Sequence, residues 1–258
     1  MPLSETAASV PSRRGERPPE SAGEPWDAGD GFFRDRRLAD LEAGHGLTVR
    51  SWGDMRCSRN RRSALARAGA PEPDARVLRQ VHGTGISILR REGAPDGSPP
   101  HADGWITDRP GAVVAVQVAD CLPIWIWHRS GRAAGVFHAG WRGLAAGLPR
   151  EAVAGFGRSF GLKPMDLEAS VGPHAGACCY RVGPEVARQF RLESLVRRGG
   201  DVRLDLGAEA RAQLLESGLA PAAVSVAGAC TICRPELFYS YRREGRTGEM
   251  LAFLWLGA

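Results

Sequence analysis

The sequence is short of lysine and of long apolar runs. Lys163 is the only lysine, so arginine supplies nearly all of the positive charge behind a net charge of +5. The basic residues are scattered among acidic ones, which argues against a nucleic-acid-binding surface. No run approaches the ~18 apolar residues that a membrane helix needs, and the N-terminus lacks the apolar core of a secretory signal. We therefore expect a cytoplasmic protein that binds neither nucleic acid nor membrane.

Histidine is also scarce, since the chain has six histidines and six cysteines. A multicopper oxidase needs more imidazole ligands than six histidines supply. In a reducing compartment the cysteines of a long chain are expected to bind metal or to remain buried thiols. The adjacency of Cys178 and Cys179 also argues against a set of structural disulfides. The ligand supply is therefore sufficient for a small metal site but too small for a copper cluster.

Composition separates the N-terminus from the rest of the chain. Residues 1–30 mix Pro, Gly, Ser, Arg and Glu with almost no apolar clusters. Such a segment cannot bury enough surface to offset the entropy lost on ordering it. We therefore expect a disordered tail over residues 1–30 and a single folded domain over residues 31–258.

The apolar pattern predicts strands mixed with helices, an α+β fold. Residues 77–90 are interpreted as a strand interrupted by a turn at His82–Gly83. Residues 112–128 are interpreted as two strands with a kink at Asp120–Pro123, because proline cannot donate to a sheet ladder. A short strand that ends at His138 precedes an alanine-rich helix. The remaining pattern comprises a loop at 92–104, helical spacing at 184–198 and 206–219, and late strands at 223–233 and 249–256.

Three possible metal ligands, His82, Cys121 and His138, are placed at the ends of predicted strands. Strand ends of one sheet converge in space, so these side chains can meet. Two imidazoles and a thiolate with an open fourth position match a catalytic zinc centre, and a set of two histidines and one cysteine also describes a blue-copper site. A catalytic zinc lowers the pKa of bound water to about 7 or polarises a bound oxygen. The alternative is two core histidines and a buried thiol.

Four further features carry weaker signals. Asp120 can orient a ligand histidine or take a proton, or can simply cap a strand end or form a salt bridge. The glycine-rich segment 171–183 suits either anion binding by backbone N–H groups or a tight structural turn. Cys230 and Cys233 have C-x-x-C spacing, which is weak evidence for a metal or redox site because a second pair is missing. Segment 239–248 places arginines near aromatic residues, as a phosphate site, a stacked base or a solvated hairpin would.

Five motifs, taken in order, resemble those of the laccase-domain family, formerly described as multicopper polyphenol oxidases. They are QVHG, ADCLPI, FHAGWRG, a VGP segment followed by CCY and VG, and a CT segment followed by ELFYSYRR and TG. The resemblance runs from about Gly46 to Leu256. It implies layered mixed β-sheets flanked by helices, similar to the catalytic domain of cytotoxic necrotizing factor toxins.

The resemblance also implies a function. Members of the family are regarded as zinc-dependent purine nucleoside phosphorylases with accompanying adenosine deaminase and methylthioadenosine phosphorylase activity. The family's zinc ligands and catalytic residues fall on His82, Cys121 and His138. Adenosine, inosine, guanosine or methylthioadenosine would react with phosphate to give the free base and ribose 1-phosphate. The residues that we expect to bind substrate and phosphate are Arg50, Gln80, Arg142 and Arg242.

Three departures from the family pattern bear on substrate preference. The Gly-Gly-Val-Ser expected after Arg50 is missing, Arg181 replaces the usual glutamate after Cys-Cys-Tyr, and His174 stands where a small residue is common. These changes do not affect the three expected metal ligands, His82, Cys121 and His138. Two alternatives stay open, a copper-dependent polyphenol oxidase and a non-catalytic metal-binding protein. Neither the residues nor the resemblance fixes an oligomeric state.

Overall fold

A computed structural model describes residues 26–27, 29–41, 43–92 and 98–257 of the chain. Its strands are β1 Trp26–Asp27, β2 Phe32–Asp35, β3 Gly44–Thr48, β4 Ile86–Leu89, β5 Gly104–Thr107, β6 Val114–Val118, β7 Leu122–His128, β8 Ala134–Ala139, β9 Leu167–Val171, β10 Leu195–Arg198, β11 Asp201–Leu204, β12 Val224–Val226 and β13 Met250–Trp255. Its α-helices are α1 Ser58–Ala68, α2 Trp141–Ala145, α3 Leu148–Phe160, α4 Pro184–Ala187, α5 Leu206–Glu216 and α6 Tyr241–Glu244. Short 3-10 segments lie at Gly29–Gly31, Arg36–Leu41, Arg50–Trp52, Pro164–Asp166, Leu192–Ser194 and Pro221–Ala223.

Two sheets form the centre of this α+β fold. The six-stranded sheet has the order β12-β9-β7-β8-β5-β4 and is mixed, with parallel pairs at its two edges. The five-stranded sheet has the order β1-β2-β3-β13-β6 and is antiparallel throughout. Strand β13, near the C-terminus, thus lies between β3 and β6. Strands β10 and β11 form a separate hairpin.

The sheets and helices stack in layers because alternate side chains of the strands face opposite sides. In β7, Ile124 packs with the cluster that covers α3 and α5, whereas Trp125 packs between the two sheets. The outer face of the five-stranded sheet packs against α1 through residues such as Phe253 and Leu65. The layered arrangement of sheets flanked by helices therefore follows from strands that are apolar on both faces.

Buried polar contacts tie the two sheets together. The Asp35 carboxylate of β2 forms an ion pair with Arg37 at 2.8 Å and accepts hydrogen bonds from the hydroxyls of Ser170 and Ser225, which lie in β9 and β12. The Trp125 indole donates to the carbonyl of Phe253 at 3.0 Å. Since buried polar groups need partners, these contacts fix how the sheets face each other.

The strands around the predicted ligands form largely as expected. Strands β6 and β7 are separated by a kink at Asp120, whose backbone has a φ of 86°. Strand β8 ends one residue after His138, and α2 follows directly. The helix predicted at 206–219 is present as α5. None of the helices in the described part of the chain is long and apolar enough to cross a membrane.

The prediction of a tail over residues 1–30 is wrong at its C-terminal boundary. Residues 1–25 and 28 lie outside the described residues, but Trp26 and Asp27 pair with β2. Trp26 is buried and stacks on Phe33, with ring centroids 5.5 Å apart. A single large aromatic side chain buries enough apolar surface to order a short strand.

Three predicted elements are much shorter than their patterns indicated, and one of them is the strand at 223–233, of which only Val224–Val226 form β12. Of residues 77–90, only Ile86–Leu89 form a strand. The helical spacing at 184–198 produces one turn of helix, after which the chain enters the β10–β11 hairpin. Gly199 and Gly200 both have positive φ, at 58° and 85°. Two left-handed residues form the tight turn that a hairpin needs, and this turn chemistry outweighs the helical spacing.

Candidate metal centre in an arginine-lined cleft

The side chains of His82, Cys121 and His138 meet at one end of strands β5, β7 and β8 in the six-stranded sheet. Each offers one ligand atom, and these three atoms all lie within 4.8 Å of one another. The rings of His82 and His138 are nearly perpendicular, with centroids 4.7 Å apart. The three residues that the sequence singled out therefore share one site.

Their positions along the strands differ in part from the prediction. Only His138 lies at the end of a strand, while Cys121 directly precedes β7 and His82 lies in the turn before β4. Strands β7 and β5 both run antiparallel to β8, so they begin where β8 ends. The site therefore lies where two strands begin and a third strand ends.

Asp103 lies directly behind two of the ligands. It precedes β5 and is fully buried. Its Oδ1 lies 2.9 Å from His138 Nδ1 and accepts the backbone N–H of His82, also at 2.9 Å. The N–H of Gly83 donates to Oδ2 at 2.7 Å. With Nδ1 of His138 engaged by the carboxylate, Nε2 is left to face a metal, as in many carboxylate-supported histidine ligands.

Local backbone geometry also shapes the site. His82 has a φ of 58°, a left-handed conformation that is uncommon for residues other than glycine. The hydrogen bonds to Asp103 hold that turn in place. Gly140 leaves space on the other side, because a Cβ there would lie 3.0 Å from both Cys121 Sγ and His82 Cδ2. The ligand cluster therefore packs closely against Gly140.

The electrostatics of the cluster favour a metal cation. Burial alone raises the pKa of the Cys121 thiol, but His138 and His82 outweigh it and lower that pKa to about 6. Burial alone lowers the pKa of His138, but Cys121 and Asp103 raise it to about 9. A thiolate thus forms readily beside His138, whose proton a bound cation would displace. This donor set fits a borderline divalent cation such as Zn²⁺.

The cluster opens into a cleft with a volume of about 770 Å³. Four arginines line it against two carboxylates, Asp120 and Glu249, so the cleft carries an excess of positive charge. Its other walls contain aromatic and apolar side chains. The arginines are Arg56, Arg142, Arg242 and Arg246, and the apolar and aromatic residues are Leu78, Ala119, Trp141, Tyr180, Leu206 and Tyr241.

Three of the four residues expected to bind substrate line this cleft. Arg142 and Arg242 do so, and their guanidinium groups lie over neighbouring aromatic rings. Gln80 also lines it, but its side-chain amide forms two hydrogen bonds with the backbone of Gln117, at 2.8 and 2.7 Å. Arg50 is not brought to the cleft, because its guanidinium pairs with Glu244 at 2.5 Å.

Asp120 acts as a support for the cleft wall. Its carboxylate accepts hydrogen bonds from the Thr231 hydroxyl at 2.6 Å, the Ser240 hydroxyl at 3.0 Å and the Arg242 backbone N–H at 2.6 Å. None of these donors is a histidine. The carboxylate therefore ties the loop around Thr231 and the start of α6 to the residue beside Cys121.

Sequence reasoning missed Asp103, Gln117 and Glu249, whereas Arg246 belongs to segment 239–248, which it singled out as a possible phosphate site. Asp103 directly precedes strand β5, whereas the sequence-based prediction of ligands concerned the ends of strands. Gln117 is the polar residue within an otherwise apolar strand, and its amide nitrogen is buried without a hydrogen-bond partner among the described residues. Burial raises the pKa of Glu249 in the cleft. An isolated polar residue in an apolar run was the signal available for Gln117.

Comparisons with known proteins agree with the motifs. The chain matches the family model described as multi-copper polyphenol oxidoreductase laccase over residues 50–257. A purine nucleoside phosphorylase of Xylella fastidiosa (strain Temecula1) is 36% identical over 210 residues, which cover 77% of this chain and 78% of that protein. Purine nucleoside phosphorylase YfiH of Shigella flexneri is 34% identical over 203 residues, which cover 76% of this chain and 79% of that protein.

Solved structures share the fold. The crystal structure of YlmD from Geobacillus stearothermophilus has a TM-score of 0.81 at 29% identity and covers 92% of this chain and 100% of that chain. The hypothetical protein YfiH of Bacillus licheniformis has a TM-score of 0.80 at 24% identity, covers 91% of this chain and 100% of that chain, and bears on the fold alone. The family model spans most of the sequence, and residues of the motifs lie together in one cleft. The chain therefore belongs to the laccase-like family that is described as multi-copper polyphenol oxidoreductase laccase.

Proposed function

We propose that this protein is a zinc-dependent purine nucleoside phosphorylase. It would convert a purine nucleoside and orthophosphate to the free base and ribose 1-phosphate. The observation that carries the proposal is a cluster of two imidazoles and a thiolate within 4.8 Å at the wall of an arginine-lined cleft. The names of relatives at 34–36% identity support the same reaction.

Phosphate binding is assigned to three arginines of the cleft. Arg142 and Arg242 are exposed and lie over aromatic rings, at 4.4 Å from Trp141 and 4.5 Å from Tyr180. Arg246 lines the cleft and has no ion-pair partner in the part of the chain that the structure describes. Guanidinium groups bind phosphate oxygens through paired, charge-assisted hydrogen bonds. These side chains can therefore hold the anionic co-substrate.

Purine binding is assigned to the aromatic and apolar wall. Tyr241 is exposed and offers a ring face on which a base can stack, whereas Tyr180 is buried and carries Arg242 over its ring. The unpartnered amide nitrogen of Gln117 can donate to a ring nitrogen or carbonyl of the purine, and an unpaired buried donor otherwise costs about 1–3 kcal/mol. A purine would thus satisfy a group that the protein itself leaves unpaired.

In the reaction, a phosphate oxygen attacks the anomeric carbon of the ribose, and the bond from that carbon to the purine nitrogen breaks. The purine leaves with the electron pair and needs a proton. Glu249 is the group that we assign to hold this proton, since burial raises its pKa. His82, Cys121 and His138 would hold the zinc, which supplies positive charge to polarise an oxygen bound beside it.

A second activity at the same cleft is adenosine deamination. There, water replaces the amino group at purine C6, and ammonia leaves. This side activity uses the same base-binding wall and needs no phosphate, so the two reactions can be separated by their co-substrate. We infer that residues 31–258 act as one catalytic domain, with a fold similar to that of cytotoxic necrotizing factor catalytic domains.

Product identification tests the proposal. Purified protein is incubated with adenosine, inosine, guanosine or methylthioadenosine, with and without phosphate, and products are separated by chromatography. We expect the free base and ribose 1-phosphate only when phosphate is present. Inosine from adenosine as the sole product, equally in both conditions, would refute phosphorolysis. The variant His138→Ala controls for contaminating activity.

A copper-dependent phenol oxidase is the second candidate, because two histidines and a cysteine also suit copper. Among the described residues, which include all six histidines, none of the other four belongs to a candidate metal group. Those four are His45, His101, His128 and His174. Stoichiometric copper with strong blue absorbance and phenol turnover would favour oxidation. Bound metal without turnover of any nucleoside or phenol would indicate a binding protein.

A further inference from the structure

A second group of metal-binding side chains lies apart from the three-ligand cluster. Cys178, Cys179, Cys230 and Cys233 come together from two loops, and their four sulfur atoms all lie within 4.8 Å of one another. Cys230 and Cys233 have C-x-x-C spacing, and the sequence lacks another pair of that kind. The structure supplies the partner pair, which is the adjacent Cys178 and Cys179. We propose that these four cysteines form a structural zinc site.

The sulfur positions suit tetrahedral zinc. Sulfurs that bind zinc at about 2.3 Å in a tetrahedron lie about 3.8 Å from one another. Here Sγ of Cys233 lies 3.6 Å from that of Cys178 and 3.3 Å from that of Cys179. A disulfide needs about 2.05 Å, and all four cysteines are free. Because all four sulfur atoms lie within 4.8 Å of one another, small side-chain shifts would bring them to this spacing around one ion.

The two loops are held in register by their backbones. His174 and Cys230 form a bridge, and the N–H of Thr231 donates to the carbonyl of His174 at 2.9 Å. The N–H of Gly176 donates to Sγ of Cys230 at 3.3 Å, the type of contact that stabilises a thiolate ligand. A Cβ at Gly176 would lie 3.3 Å from Sγ of Cys178. The loop therefore approaches the sulfurs as closely as glycine permits.

Positive charge surrounds the cluster. Arg243 donates to the carbonyls of Thr231 and Ile232 at 2.7 and 2.9 Å, and Arg203 donates to the carbonyl of Cys178. Four thiolates and one Zn²⁺ carry a net charge of −2, which Arg203 and Arg243 offset in part, since Arg243 also pairs with Glu244 at 2.6 Å. When zinc binds, the thiol protons leave to solvent, and no oxidant or reductant is needed.

The site would stiffen one wall of the cleft. Tyr180, which lines the cleft, follows Cys179 directly. Thr231 follows Cys230 and donates to Asp120, the neighbour of Cys121. A zinc ion that joins the two loops thus fixes Tyr180 and Asp120 in the lining of the cleft. The inference concerns a different ion from that of the proposed reaction and does not depend on it.

The test is a metal count on the full chain. Protein is purified under reducing conditions, loaded with zinc and exchanged into metal-free buffer. Its zinc content is then measured by inductively coupled plasma mass spectrometry. We expect two zinc ions per chain for the unmodified protein and one for Cys178→Ser/Cys233→Ser. Cys57→Ser, at an exposed cysteine outside both groups, should keep two. An unmodified protein with one zinc, unchanged by Cys178→Ser/Cys233→Ser, would overturn the proposal.

A second measurement covers the case in which that double variant does not fold. His82→Ala/His138→Ala leaves only Cys121 at the first site and keeps all four cysteines of the second. Loaded with Co²⁺, this variant should show the intense visible and near-ultraviolet absorption of tetrahedral cobalt bound by thiolates. Absence of that spectrum, or a disulfide between these cysteines in freshly reduced, zinc-loaded protein, would refute the site.

Discussion

Asp103 and His138 are joined twice: the carboxylate of Asp103 lies 2.9 Å from Nδ1 of His138, and its backbone carbonyl accepts the N–H of His138 at 2.7 Å. The same carboxylate accepts the backbone N–H of His82. One buried acid therefore sets the ring orientation of one proposed ligand and the backbone turn of another.

Asp103→Asn is expected to weaken zinc binding by roughly 10–100-fold, because a carboxylate behind a histidine ligand orients the ring and raises its basicity. Affinity is measured by competition with a chromophoric chelator. Asp108→Asn is the matched control, since Asp108 also accepts a backbone N–H, that of Arg91, at 2.7 Å, but does not line the cleft. Equal zinc affinity in both variants would contradict this role.

Gly140→Ala is expected to weaken zinc binding at the first site with little loss of fold. The new Cβ would lie 3.0 Å from Cys121 Sγ and from His82 Cδ2, so both ligands would have to shift by a few tenths of an ångström. The control is Gly157→Ala in α3, where the nearest atom to a new Cβ is at 3.5 Å. Alanine there should stabilise the helix by about 0.5–1 kcal/mol. Zinc content and thermal unfolding separate the two outcomes.

Arg246→Ala is expected to raise the KM for phosphate by roughly 10–100-fold, the equivalent of one or two charge-assisted hydrogen bonds. The KM for the nucleoside should change far less. Steady-state rates at varied phosphate give both constants, and Arg67→Ala, at an exposed position of α1, serves as the control. If phosphate KM stays at its original value, Arg246 does not bind phosphate.

Glu249→Gln is expected to lower kcat by roughly 10²–10⁴-fold, as for other proton-donating side chains. In the unmodified protein, activity should fall as the pH rises through the raised pKa of Glu249, because the proton is then lost. The glutamine variant should lack that alkaline limb. A pH profile of kcat/KM for both proteins decides the matter; an unchanged alkaline limb in the variant would assign the proton to another group.

Protein stability should fall in acid because of His45. This residue of β3 is buried, which lowers its pKa to about 4, and its neutral Nε2 accepts the N–H of Asp35 at 3.0 Å. The unfolded chain binds the proton below a pKa of about 6.5. Stability from neutral His45 is therefore complete above pH 6.5 and is lost as the pH falls towards 4, by about 3 kcal/mol in all.

His45→Gln checks that expectation. Glutamine keeps an acceptor but does not titrate, so urea unfolding of this variant should depend less on pH between 6.5 and 4 than unfolding of the unmodified protein. His101→Gln, at an exposed histidine, should retain the original pH dependence. Parallel curves for His45→Gln and the unmodified protein would rule out the role of His45.

Local patterns predicted most of the strands and the three candidate ligands. The kink beside Cys121 followed from Pro123, and the strand before His138 followed from an apolar run. The contact from Asp103 could not be predicted locally, because it depends on β5 and β8 running antiparallel. Cys178 and Cys179 meet Cys230 and Cys233 across more than fifty residues, so spacing alone made the C-x-x-C pair look solitary. Arg50 matched a motif, yet its ion pair with Glu244 is a tertiary contact.

The two contacts between Asp103 and His138 and the hydrogen-bonded turn at His82 lower the entropy cost of metal binding. Folding already brings these ligands together when β5 pairs with β8, and the protein loses the corresponding conformational entropy at that step. Metal binding then costs little additional entropy. Such preorganisation favours rapid metal uptake by a finished protein. It also means that a substitution at Asp103 alters two ligands at once, so His82 and His138 cannot contribute independently to metal affinity.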